Sequence, residues 1–320
     1  MKASPLNTAA LRASRGALLL AACLLAVSAL AVSALAQAAQ PGPSAPSGGN
    51  FVRMAVVKPV AAPAPAPAVK KDFVVYDTTV YKHKPTNLGE LGFQPMPIVY
   101  EGEFWPPRVE RVEPDLALAR KAAVRVAPQG PLVCLDIEAL LVFNKPPQEI
   151  AANIRRLAGV ADAMHAAQPQ LKLGYYLLLP VRDYWTPVGN DPAKMRAWAE
   201  ANDSLKGLAS HLDVIFPSLY TFYDDPEGWK KYAKANILEA KRYGKPVYPF
   251  IWPAYHDSNK LLGGKPIPAD VWRMQLETCL EHADGVVIWG GYKELWQEQA
   301  GWWRETKDFL ARLKAAKAGK

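Results

Sequence analysis

The stretch PLVCLDIEAL, residues 131–140, decides how this chain is read. A run of apolar side chains ends on two carboxylates, Asp136 and Glu138. Residues two apart on a strand share a face, with Cα atoms roughly 6.6–6.8 Å apart, so a strand here points both carboxylates the same way. Carboxylates on one face repel, and in a partly apolar setting one of them keeps its proton near neutral pH. A proton held in that way is what a general acid needs.

Outward from this stretch the chain repeats one pattern. FVVYD (73–77), PIVYEGEF (97–104), PLVCLDIEA (131–139), LKLGYYLLLP (171–180), LDVIFPSLY (212–220), KPVYPFIWP (245–253) and DGVVIWGG (284–291) read as strands. Amphipathic segments at 115–126, 147–167, 192–209, 227–243, 268–282 and about 302–316 read as helices. Near-continuous apolar strands alternating with helices imply a parallel sheet covered on its outside. Seven of them predict an α/β fold, a distorted (β/α) TIM-type barrel of about seven parallel strands, over residues 72–320. The first strand is followed by no GxGxxG or phosphate loop, which removes the main reason to prefer a nucleotide-binding sheet.

Barrels of this type carry their sites at the C-terminal ends of the strands. Here those ends supply Asp77, Glu101, Glu103, Asp136, Glu138, Tyr184, Trp185, Tyr220, Trp252, Tyr255 and Trp289. Carboxylates ringed by aromatics suit a sugar, whose apolar faces stack on rings while its hydroxyls bond to carboxylates. The expected partner is therefore a polysaccharide. His83, His165, His211, His256 and His282 show no ligand spacing, and Cys134 and Cys279 sit in apolar contexts that suit buried free thiols, so neither a metal nor an organic cofactor is expected.

The remaining sequence bears on location. Residues 1–36 carry Lys2, Arg12 and Arg15, then an apolar run ending Ala34-Leu35-Ala36, the pattern of a cleaved secretory signal peptide. An uncleaved membrane anchor and a lipoprotein signal around Leu20-Ala21-Ala22-Cys23 are the alternatives. Residues 37–71 are rich in Ala, Pro, Gly and Ser and predict an extended linker. Those cations together with Arg53, Lys58, Lys70 and Lys71 account for seven of the formal net charges of +8, leaving the expected barrel near neutral. A nucleic-acid partner is not supported. The expectation is a secreted or periplasmic protein without stable membrane insertion after signal cleavage, or a tethered one if the signal is kept.

The landmarks together resemble the animal-type hyaluronidase family of glycoside hydrolases. The family's strand-end D-x-E is similar to Asp136-Ile137-Glu138. Its G-[FY]-Y-L-x-P strand with a following Tyr resembles Gly174-Tyr175-Tyr176-Leu177-Leu178-Leu179-Pro180 and Tyr184. F-P-S-[IV]-Y is matched by Phe216-Pro217-Ser218-Leu219-Tyr220, P-V-Y-x-[YF]-x-[RW]-P-x-Y by residues 246–255, and G-[IV]-[VI]-[IL]-W-G by residues 285–290. The resemblance implies a retaining, substrate-assisted hydrolase of a β-linked N-acetylhexosamine polymer, in which the sugar's own acetamido group attacks the anomeric carbon. It implies Glu138 as proton donor, Asp136 as the group orienting the acetamide, Tyr184 and Tyr220 beside that acetamide, and Trp289 as the floor. Tyr176, Trp252, Tyr255 and Glu101 complete the candidate substrate contacts.

This chain also departs from the family. Ala139-Leu140-Leu141-Val142-Phe143 follows the D-x-E where further acidic and aromatic residues are usual, and Tyr184 stands one residue further from Pro180, so Asp183 could take its place. The family's disulfides are absent. Chitinases add an Asp two residues before their D-x-E, a position held here by Cys134. Two rival readings stay open: a non-catalytic polysaccharide-binding or cell-envelope protein on the same barrel, and a glycosidase using Glu101 or Glu103 as nucleophile.

Overall fold

A computed structural model describes residues 72–318. The expected signal (1–36) and linker (37–71) lie outside the described residues. Among the described residues no helix is long and apolar enough to cross a membrane. The strands are β1 (Val74–Thr79), β2 (Phe93–Pro95), β3 (Ile98–Tyr100), β4 (Leu132–Asp136), β5 (Lys172–Tyr175), β6 (Phe250–Ile251) and β7 (Gly285–Gly290). They form two sheets of parallel strands, ordered β2-β1-β7-β6 and β3-β4-β5.

Two features join the sheets into a ring. β2 and β3 are halves of one run, residues 93–100: the first half pairs with β1, and after Met96 and Pro97 the second half pairs with β4. Across the barrel, residues 214–221 touch β5's extension through Tyr176–Phe216 and the β6 side through Ile215–Val247, Ser218–Phe250 and Thr221–Tyr255, all parallel. The ring thus runs β1, 93–100, β4, β5, 214–221, β6, β7 and back to β1. It is the expected distorted (β/α) barrel.

The expected strand at 212–220 is present only as isolated bridges, and the reason is local. Pro217 has no N–H to give. Two carbonyls of the segment are taken by helix α7 (Pro226–Lys241), where Tyr232 donates to Ser218 O at 2.5 Å and Trp229 Nε1 to Leu219 O at 3.1 Å. β5 likewise ends early, because Leu177 adopts a left-handed φ of 71° and Leu178 N–H folds back onto Tyr176 O at 2.9 Å.

Alternation along the strands sorts side chains into two cores. Val133, Leu135 and Ile137 of the β4 run, with Leu173, Tyr175, Ile215, Leu219, Val286 and Ile288, face the helices. Leu132, Cys134, Phe216, Tyr220, Phe250, Trp252 and Val287 fill the barrel, with Tyr176 and Trp289 packed against them. Gly174 is required by this filling: a Cβ there would lie 2.6 Å from Val214 O. Cys134 and Cys279 are buried and unbridged, one in each core.

The outer layer is α1 (Leu88–Leu91), α2 (Leu116–Val126), α3 (Pro147–Ala167), α4 (Trp185–Gly189), α5 (Pro192–Asp203), α6 (Lys206–Ala209), α7, α8 (Ala269–His282) and α9 (Gly301–Ala318). Asp115, Asp191 and Asp225 cap α2, α5 and α7 by accepting first-turn N–H groups, and Pro at the start of α3, α5 and α7 suits positions whose N–H has no helical partner. The single helix expected at 192–209 is divided into α5 and α6. At the ring's seam, Lys317 Nζ on α9 bonds Phe73 O at 3.1 Å.

Candidate active site

β4 carries the site. Leu132 and Cys134 point into the barrel, and Asp136 is next on the same face at the C-terminal end. Beyond it Ile137 is buried on the helix side, and Glu138 opens a short 3₁₀ turn (Glu138–Leu140) and is exposed at the mouth. The two carboxyls sense each other. Burial raises Asp136 from 3.8 to about 7, with the nearby Glu138 charge adding to the rise. Glu138 is raised as well, by desolvation, while the Arg182 guanidinium pulls it back down. Asp136, the deeper carboxyl, therefore holds a proton up to near neutral pH.

Asp136 Oδ1 is the most informative atom of the site. It is buried and has no hydrogen-bond partner among the described residues. A buried acceptor without a donor is costly, about 1–3 kcal/mol for an ordinary polar group. Beside it, Tyr176 Oη and Ser218 Oγ are hydrogen-bonded at 3.0 Å, the Tyr176 and Tyr220 rings lie 5.9 Å apart, and both tyrosines feel the Asp136 charge. Burial pushes both phenols well above their ordinary value, so they stay neutral.

An aromatic wall continues from these tyrosines. Tyr220 stacks on Trp289 at 5.7 Å and 26°, and Trp252 meets Trp289 edge-on at 5.2 Å. The Trp289 indole lies beside the Tyr100 hydroxyl, and Tyr100 is the register partner of Asp136 across β3 and β4. Trp252 is held close by Gly290, whose missing Cβ would lie 2.6 Å from the indole. His256 packs 4.7 Å from Phe222, and burial together with the Arg182 charge lowers it to about 4. Its Nδ1 accepts Ser258 N–H at 3.1 Å, so it is the neutral Nε2–H form at pH 7.

Of the residues singled out from sequence, Asp136, Glu138, Tyr176, Tyr220, Trp252 and Trp289 come together. Three others have their polar atoms engaged elsewhere. Tyr184 donates to Asp225 Oδ2 at 3.3 Å and packs on Trp185, Tyr223 and Tyr232. Tyr255 donates to Asp224 Oδ1 at 2.6 Å and lies in the helix-side core. Glu101 accepts Ala139 N–H at 2.9 Å and pairs with Arg111, so it holds the turn that carries Glu138. Glu103 is paired with Arg125.

Sequence reasoning missed Tyr100 and Arg182. Tyr100 had a signal, its even spacing from Ile98 on an inward face. Arg182 had none, because a loop after an irregular strand end brings it over Phe222 at 4.6 Å. Among the described residues no group of three or more His, Cys, Asp or Glu is placed to hold a metal ion.

No family model matches this chain. No curated protein matches it either. Solved structures similar to it include bee venom hyaluronidase in complex with a hyaluronic acid tetramer, 16% identical over 76% of this chain and 96% of that one, TM-score 0.49. A fungal β-1,4-galactanase is 13% identical over 68% and 77% of the two chains, TM-score 0.42. A GH18 chitinase from Pseudoalteromonas aurantia is 14% identical over 63% and 67%, TM-score 0.38. The fold is established by the closed ring of strands itself.

Proposed function

We propose that this protein is a retaining glycoside hydrolase that cleaves a β-linked N-acetylhexosamine polysaccharide, hyaluronan-like in its repeating acetamide, by substrate-assisted catalysis. The observation that carries the reading is the buried, unpartnered Asp136 Oδ1 beside the exposed Glu138. An acetamide N–H is a donor of the right kind for that oxygen. Its hydrogen bond stabilises the Asp136 anion and shifts the proton toward Glu138, which faces the mouth where a glycosidic oxygen would lie.

The steps then balance. The acetamide carbonyl oxygen attacks the anomeric carbon while Glu138 gives its proton to the leaving oxygen and the glycosidic bond breaks. Asp136 steadies the positive charge that develops on the amide nitrogen. Water opens the cyclic intermediate from the face the leaving group vacated, and its proton returns to Glu138, so configuration is retained. Tyr176 and Tyr220 supply neutral hydroxyls near the acetamide, and the stacked Tyr220–Trp289 pair supplies an apolar floor.

Release of reducing ends from hyaluronan, chondroitin and chitin-type oligosaccharides tests this directly. Glu138→Gln is expected to lower the rate on the order of 10²- to 10⁴-fold, and a polymer lacking acetamides is expected to be left intact. Equal turnover by the variant, or equal cleavage of the acetamide-free polymer, overturns the proposal. Glu101 and Glu103, both ion-paired, are poor candidates for a rival nucleophile.

A further inference from the structure

An exposed aromatic platform stands on the same rim of the barrel. Trp185, at the start of α4, is 61% exposed, and Tyr223, in the loop before α7, is 39% exposed. Their rings lie 4.8 Å apart, and both rest on the buried Tyr184, at 5.1 and 4.6 Å. Tyr184 is itself fixed from below by Tyr232 at 5.1 Å and by its hydroxyl on Asp225. Asp183 Oδ1 accepts Thr186 N–H at 2.8 Å and pins the first turn that carries Trp185. Solvent-facing rings held this rigidly lose little entropy on binding, and nothing in the outer core needs a tryptophan there.

The platform is continuous with the site. Arg182, which senses Glu138, lies over Phe222, and Phe222 adjoins Tyr223. Both loops follow neighbouring staves of the barrel, β5 and 214–221, at their C-terminal ends.

We infer that Trp185 and Tyr223 form an outlying sugar subsite, on which a pyranose ring of the same polymer chain stacks at a distance from the bond cut at Glu138. The occupant is a sugar because Arg182, which feels the Glu138 charge, links the carboxylate pair through Phe222 to Tyr223, and because exposed aromatic faces suit the C–H face of a pyranose. The inference rests on the reading of the site as a polysaccharide site, and it makes the protein selective for long chains.

The test uses Glu138→Gln protein, so that nothing is consumed, and calorimetric binding of hyaluronan and chitin-type oligosaccharides from two to eight sugars. Adding Trp185→Ala, with Tyr223→Ala as a second variant, is expected to weaken binding of the octasaccharide about five- to tenfold and to leave disaccharide binding unchanged. Trp185 is exposed enough for its loss to leave the fold intact, which a thermal melt checks. An unchanged octasaccharide affinity, or an equal loss at every length, overturns the subsite. Length-dependent binding with no cleavage by the unmutated protein upholds the subsite and sinks the hydrolase; cleavage with no Trp185 effect does the reverse.

Discussion

Asp136 concentrates the physical tension of this molecule in one side chain. Its carboxyl is raised from 3.8 to about 7 by burial first and by Glu138 second, so the folded state holds that proton more tightly than the unfolded chain does. The stabilisation from that proton is complete below about pH 4 and is lost as pH climbs through about 7. Asp136→Asn removes the titration. Its melting temperature relative to the unmutated protein is therefore expected to rise between pH 5 and pH 8, read by thermal melts in matched buffers, while hydrolysis falls at every pH. A gap between the two proteins that does not change with pH contradicts the assignment. Asp136 was legible in the sequence because it ends an apolar strand, and Tyr220 and Trp289 were found as aromatics at strand ends and through the resemblance; Glu138 lies past the end of β4 on a 3₁₀ turn, where period-two alternation no longer decides which way a side chain points. Arg182 and the engaged hydroxyls of Tyr184 and Tyr255 were not legible, because loop paths and chance acceptors such as Asp224 and Asp225 decide them.

At the scale of elements, the 3₁₀ turn at Glu138–Leu140, which carries the proposed acid, is held from the turn that follows β3. Glu101, on the turn after β3, clamps Ala139 N–H, and Arg111 holds Glu101 in turn. Glu101→Ala frees the turn. The expected result is a kcat reduced roughly 10- to 100-fold by a misplaced Glu138, with KM and melting temperature little changed because the group lies near the surface. A proportionate rise in KM would instead make Glu101 a substrate contact. Helices were read closely from sequence, since Asp caps and first-turn prolines mark their starts, as at Asp115, Pro147 and Pro226. Strands were read less well. The 212–220 run has the right alternation, but Pro217 and the carbonyls claimed by Trp229 and Tyr232 break the ladder that alternation alone predicts.

For the whole molecule, α9 covers the place where the ring returns to its beginning. It buries Trp302, Trp303, Phe309, Leu310 and Leu313 against a core that includes Phe73 and Phe93, with Phe73 edge-on to Phe309 at 6.0 Å and Phe93 stacked on Trp303 at 6.2 Å. Full burial of an aliphatic or aromatic side chain is worth about 1.5–3 kcal/mol each, so five of them rival the entire stability of an ordinary domain. A chain ended after Ala300 is expected to lose its cooperative thermal transition, followed by circular dichroism; a sharp transition near the original temperature would show that the barrel closes without this helix.

The stave at 93–100 changes partners halfway along its length, leaving β1 after Pro95 and joining β4 from Ile98. Neither half is braced on both flanks by regular ladders. Tyr100 tops that wall and faces Asp136 across it. The two prolines, Pro95 and Pro97, sit at that handover and give no N–H to either ladder, so the height of Tyr100 beside Asp136 is set by the pairing with β4 and is uncoupled from β1.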